Sequence, residues 1–242
     1  MKKAAAGFLC LTLCFVFVFS AFAQMPQTKF QTAADLLGFV MVGKTFTTPL
    51  RIVPAVLTKS GESRSVYLIA MLGMKNVKGQ VNSAKGGGTA AYAALVKAVL
   101  FETVPAGSAL VFAGHSLGGM TAQVLRCDEE LQQAYEILNV LCGGSPLMEE
   151  SRAPEGTLHR LTDTFDMIPY IAGDSFCSFL RQIRTAHREN GGYFLNPDGA
   201  HNLSYARNDV WGSYDVFGEK GGDAALCFPP AEIRAYGDAG SN

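Results

Sequence analysis

Gly114-His115-Ser116-Leu117-Gly118-Gly119 is the stretch of this 242-residue chain whose residue types and spacing could do chemistry. A serine with glycine two positions before and two after it fits a sharp strand-to-helix turn. Such a turn presents the hydroxyl and aims the backbone N–H groups of the next helix at the reacting centre. A serine hydroxyl is a weak nucleophile until a histidine takes its proton and a carboxylate holds that histidine in the right tautomer. Behind a turn of this kind the chain order is serine, acid, histidine, so both partners of Ser116 are sought after it.

The elements that must position this turn can be read from hydrophobic spacing. Thr32, with Asp35 three residues on, predicts a helix start leading into Leu36, Leu37 and Phe39. Phe46 to Leu57 reads as extended or irregular, and the continuous apolar run Val66 to Met71 reads as a strand buried on both faces. Lys75 to Gly88 is a polar, glycine-rich loop. Tyr92, Leu95, Val96, Val99 and Leu100 share one helical face, Ala109 to Ala113 form a second buried strand, and Met120 to Tyr135 read as helix again. Ile137 to Cys142 and Thr157 to Thr162 are two further strands. Strands and helices alternating at this pitch predict an α/β fold, one domain with a mostly parallel sheet and helices on both faces.

The serine motif, then Gly144-Ser145-Pro146 past the next strand, then Arg160 and Asp166-Met167-Ile168-Pro169 together resemble the fungal-type (class 3) lipases. The resemblance runs from about Val66 to Tyr205. It implies an α/β-hydrolase-like sheet and makes Asp166 the acid of a triad. Asp163 is a nearby decoy, at the edge of the expected strand rather than past its end. Of the four histidines, His115 is the variable residue of the turn and should point away from the serine, and His159 precedes the acid. His187 sits among Arg181, Arg184 and Arg188 in what reads as a solvated surface helix. His201, with Tyr205 four residues on, is similar to the end of the family's triad, so it is the expected base and His187 the second candidate.

The same resemblance puts the oxyanion hole at the backbone N–H groups of Leu117 and Met74. The family has an Arg-Gly-Ser/Thr turn at the second donor, whereas this chain has Leu72-Gly73-Met74, without the arginine or the hydroxyl. Lys75 to Gly88 takes the place of the family's lid but lacks a large apolar face, which favours a phospholipid or a shorter soluble ester over bulk triglyceride. The expected activity is thus a serine ester hydrolase (lipase, phospholipase or carboxylesterase) needing no cofactor or metal. Its partners would be a lipid or small ester substrate and, transiently, a membrane surface. The competing reading is an exported binding or envelope protein that keeps the fold without turnover.

Composition bounds these readings. Apolar residues make up 48% and charged residues 17%, as in a packed domain, and a formal net charge of −1 argues against a nucleic-acid binder. Met1-Lys2-Lys3, the apolar run Phe8 to Phe19 and Ala21-Phe22-Ala23 form a secretory signal over residues 1–23, cut after Ala23, leaving one lipase-like domain over 24–242 in a secreted or periplasmic protein. An uncleaved anchor is the alternative. The exported chain keeps Cys127, Cys142, Cys177 and Cys227, enough for two disulfides, although a buried thiol suits Cys142 equally well. Gly38 to Thr45 matches the spacing of a phosphate-binding loop, but its apolar filling and the absence of a preceding strand reject it.

Overall fold

The computed structural model describes residues 27–42, 49–73, 87–148, 154–170 and 176–236. The expected signal, the greater part of the Lys75 to Gly88 loop and the oxyanion candidate Met74 lie outside these residues.

Among the described residues nine strands form one mixed sheet in the order β1-β8-β2-β3-β4-β5-β6-β7, with β9 also paired to β2. β1 (Thr28–Phe30) and β2 (Leu50–Lys59) run against the rest: β3 (Glu62–Met71), β4 (Ala109–His115), β5 (Glu136–Gly143), β6 (Thr157–Asp163), β7 (His187–Glu189), β8 (Ala225–Phe228) and β9 (Arg234–Tyr236). From β3 to β7 the strands are parallel neighbours in chain order. The expected parallel sheet is therefore present, with an antiparallel flank added on one side.

Helices cover both faces. α1 (Ala33–Val42) starts where Thr32 Oγ1 accepts the Asp35 N–H at 3.1 Å and Asp35 returns the bond to the Thr32 N–H at 3.0 Å, a reciprocal cap. It packs Leu36, Leu37 and Val40 on the face formed by Leu68, Ala70, Val111 and Ala113. The opposite face, Ile69, Met71, Leu110 and Phe112, is covered by α2 (Gly87–Thr103) through Val96 and Leu100, by α3 (Leu117–Leu125) and by α4 (Glu129–Ala134). Residues adjacent in a strand thus alternate between two cores, as a sheet buried on both faces requires.

Local reading fell short at several places. The expected helix from Met120 to Tyr135 is two helices, because Asp128 turns its carboxylate onto the N–H groups of Glu130 and Leu131 and starts α4. The stretch before Leu57 becomes the ten-residue strand β2, joined to β3 by a two-residue turn at Ser60-Gly61 with φ of 53° and 79°. The helix expected around His187 ends earlier, as α5 (Phe176–Arg184), and His187 opens β7. Gly38, which began the rejected phosphate-loop pattern, lies inside α1, facing Ala206. Among the described residues no helix is long and apolar enough to cross a membrane.

Candidate active site

β4 is buried at all seven positions and delivers Ser116 at its carboxyl end, between β3 and β5. Ser116 has φ 55° and ψ −121°, a conformation that costs a non-glycine residue about 1–3 kcal/mol and persists only where its surroundings enforce it. The surroundings are specific. Its N–H donates to Gly143 O at 2.9 Å, and its carbonyl accepts Ser145 Oγ at 2.8 Å and the N–H groups of Gly119 and Met120 at 3.0 and 3.1 Å.

The flanking glycines are needed because the turn closes on backbone. A Cβ on Gly114 would collide with the Gly118 carbonyl group, and one on Gly118 with the carbonyl of Met71 at the end of β3. Gly118→Ala is therefore expected to destabilise the protein by about 3 kcal/mol, since backbone must move to admit the methyl group. That corresponds to a fall of roughly 5–10 °C in Tm, measured by thermal unfolding. An unchanged Tm would mean that the elbow is looser than this packing requires.

The acid and the base come from two later segments. Asp166 lies three residues past the end of β6, and His201 sits on α6 (Pro197–Leu203), which starts with Asn196 accepting the Gly199 N–H at 2.9 Å and with Pro197 in its first position. His201 Nδ1 is 2.9 Å from Asp166 Oδ2, and both side chains are buried. Asp166 accepts two further bonds, from the Tyr205 hydroxyl at 2.6 Å and from the Ile168 N–H at 3.0 Å. Burial, reinforced by the neighbouring Asp166 charge, pushes the Tyr205 phenol well above its ordinary range and so keeps it a donor. The same hydroxyl accepts the Asp163 N–H at 3.0 Å.

Gly144, the residue after Ser116's backbone partner, brings this pair against the elbow. With φ +62° it occupies the left-handed region, and a Cβ there would stand 2.8 Å from Asp166 Oδ2 and 3.1 Å from His201 Nδ1. The structure thus gathers Ser116, Asp166 and His201 around the end of β5. His201 Nε2, the nitrogen that would face a nucleophile, is buried and makes no hydrogen bond. Leu117 is the first residue of α3, where an N–H has no acceptor within the helix and is available to a developing oxyanion.

The other candidates have structural work. Asp163 accepts the N–H groups of Phe165 and Gly191, both at 2.9 Å, and the Ser204 hydroxyl at 2.6 Å, tying the end of β6 to the segment that follows His201. His187 is exposed on β7, its ring stacked on His159 at 5.9 Å and edge-on to Tyr214. Arg160 is buried, and its guanidinium donates to the carbonyls of Ser145 and Gln182, to the Gln182 side chain and to Thr185 Oγ1, which fastens the Gly144-Ser145-Pro146 turn to α5. Burial lowers its pKa to about 10. Cys142 is a buried thiol donating to Gly119 O at 3.3 Å, its pKa pushed up to about 12 by burial, and Cys227 bonds to Gln27, so neither is bridged to the other. Among the described residues no cluster of three or more His, Cys, Asp or Glu could hold a metal ion.

Two residues of the site escaped the sequence. Tyr205 was visible only as an aromatic four residues after His201, and His115 only as the variable position of the turn. His115 is fully buried, and its Nε2 lies 2.8 Å from the carbonyl oxygen of His201. For Tyr205, replacement by Phe is expected to cost about 2 kcal/mol, because it removes a donor to a buried carboxylate and leaves the Asp163 N–H unpaired. Thermal unfolding checks this, and a variant as stable as the parent would show that the network is redundant. The chain was compared with protein-family models, with curated proteins and with solved structures, and nothing matches it, so the case for the site rests on its residues and their geometry.

Proposed function

We propose that the chain is an exported serine ester hydrolase of the α/β-hydrolase type, akin to the fungal-type lipases, that works through an acyl-enzyme on Ser116. The observation that carries this is the buried Asp166–His201 pair against Gly144, with Ser116 held in a strained elbow on the neighbouring backbone. Ser116 Oγ attacks the ester carbonyl and gives its proton to His201 Nε2, which passes it to the departing alcohol. Water then attacks the acyl-enzyme with His201 as base, releasing the acid and restoring the serine. The oxyanion is held by the Leu117 N–H, and such a donor contributes ~3 kcal/mol to the transition state; the second donor expected from the sequence, Met74, lies outside the described residues.

The substrate is an ester with an apolar acyl chain, lipid or smaller. Support comes from the segments that carry the pair: Met167, next to Asp166, Phe194 and Leu195, just before α6, and Leu203, at its end, are all exposed. Leu195 holds a left-handed backbone with φ 58° and is 84% exposed, an arrangement with no benefit to the core. We place the protein outside the cytoplasm, with residues 1–23 as its signal.

A catalytically silent exported binding or envelope protein is the second reading. One observation favours it: His201 Nε2 makes no hydrogen bond, so the serine–histidine contact is not closed. Labelling the exported chain with a fluorophosphonate probe and mapping the modified peptide separates the two. Label on Ser116 is the expected result, whereas no label on folded protein, with and without detergent, would favour the silent reading.

A further inference from the structure

We infer that His115 is a positioning residue for the base, resting on the proposed role of His201. The elbow needs small residues two before and two after the serine, but the position next to it is unconstrained by the turn, so a fully buried imidazole there calls for its own explanation. Its Nε2 lies 2.8 Å from the His201 carbonyl oxygen, which can only accept, so Nε2 carries the proton. The two rings stand 4.6 Å apart and are tilted, and the His115 ring lies 5.6 Å from that of Tyr205, whose hydroxyl holds Asp166.

The consequence is a second tie on the base. Asp166 orients the His201 imidazole through Nδ1, while His115 holds the His201 main chain, and His115 is bonded directly to Ser116 in the sequence. Nucleophile and base, 85 residues apart, are thereby fixed to one rigid strand end rather than only to the acid. α6 is a short helix of seven residues with an exposed Leu203 at its end, so its own packing is a weak guarantee of where His201 sits.

Two replacements separate the donor from the ring. His115→Gln places an amide N–H where Nε2 stood and loses the ring, whereas His115→Phe keeps a ring and loses the donor. The first readout is the proton shared by His201 and Asp166, followed by NMR as a resonance far downfield of the amides and assigned by its loss in His201→Asn; it requires no turnover. We expect it in the wild type and in His115→Gln and expect it lost or broadened in His115→Phe, with fluorophosphonate labelling slowed at least 30-fold in the Phe protein and within threefold of wild type in the Gln protein. Equal slowing in both variants, or wild-type behaviour of the Phe protein, would overturn the inference. A wild type that never labels but shows the same pattern of resonances would defeat the hydrolase reading and leave the positioning role standing. Should the Phe protein not fold, ¹⁵N shifts of His115 in the wild type decide: an unprotonated Nε2 overturns the inference and a protonated one supports it.

Discussion

The Ser116→Ala protein is expected to take up no fluorophosphonate and to lose ester hydrolysis by roughly 10⁶-fold, while melting within a few degrees of the parent. The bonds that hold the elbow use its main chain: the N–H to Gly143, and the carbonyl to Ser145 Oγ and to the first turn of α3. Alanine keeps all of them. It also keeps the strain of φ 55° without adding to it. What disappears is the one oxygen that the proposed mechanism makes covalent. Hydrolysis above about 1% of the parent rate, measured on a chromogenic ester with the same purified preparation, would remove Ser116 from the mechanism.

The second large effect is expected from Asp166→Asn, about 10⁴-fold in kcat/KM with the protein still folded. Asp166 receives only donors: His201 Nδ1–H and the Tyr205 hydroxyl on Oδ2, and the Ile168 N–H on Oδ1. An asparagine that keeps its oxygen toward Ile168 turns an NH₂ group toward His201, which must then present an unprotonated Nδ1 and move its proton to Nε2. In that tautomer Nε2 cannot accept the serine proton. Because serine and acid act as a unit, adding Asp166→Asn to Ser116→Ala should lower the residual rate no further. Parent-like rates for Asp166→Asn alone, across esters of two chain lengths, would dismiss the acid.

What the sequence revealed follows the range of the interactions involved. β3, β4 and β5 were readable because burial on both faces writes an apolar run into a few neighbouring residues, and the elbow was readable because its glycines stand at a fixed spacing around the serine, although Gly118 is demanded by Met71, far away in the chain. The antiparallel flank was not. β8 pairs Val56 with Cys227 and β9 pairs Leu50 with Tyr236, and a match between segments more than 170 residues apart leaves no periodicity in either. The split of the helix at Asp128 had a local signal, a capping residue followed by two acids, but the apolar pattern ran through it. At the site, Ser116, Asp166 and His201 were found by type, order and resemblance. His115 and Gly144 have roles that depend on which distant groups pass close by, the His201 carbonyl for one and the Asp166 and His201 side chains for the other, which no motif records. His187 was judged by the basic residues around it, but Arg181 and Arg184 belong to α5, which ends before it, and only Arg188 shares its edge strand.

The margins of the sheet are another matter decided by length. Its outer strands are β7 on one side and β1 with β9 on the other, each of three residues. Long bare margins invite another chain to add a strand, and a chain that is partly folded can meet copies of itself. Three residues offer too short a template for that, and β7 carries the charged Arg188 and Glu189 on its single pairing stretch. Growth of the sheet from copy to copy is thus discouraged at both margins, leaving the long, apolar central strands as the segments that must be paired before the chain is crowded.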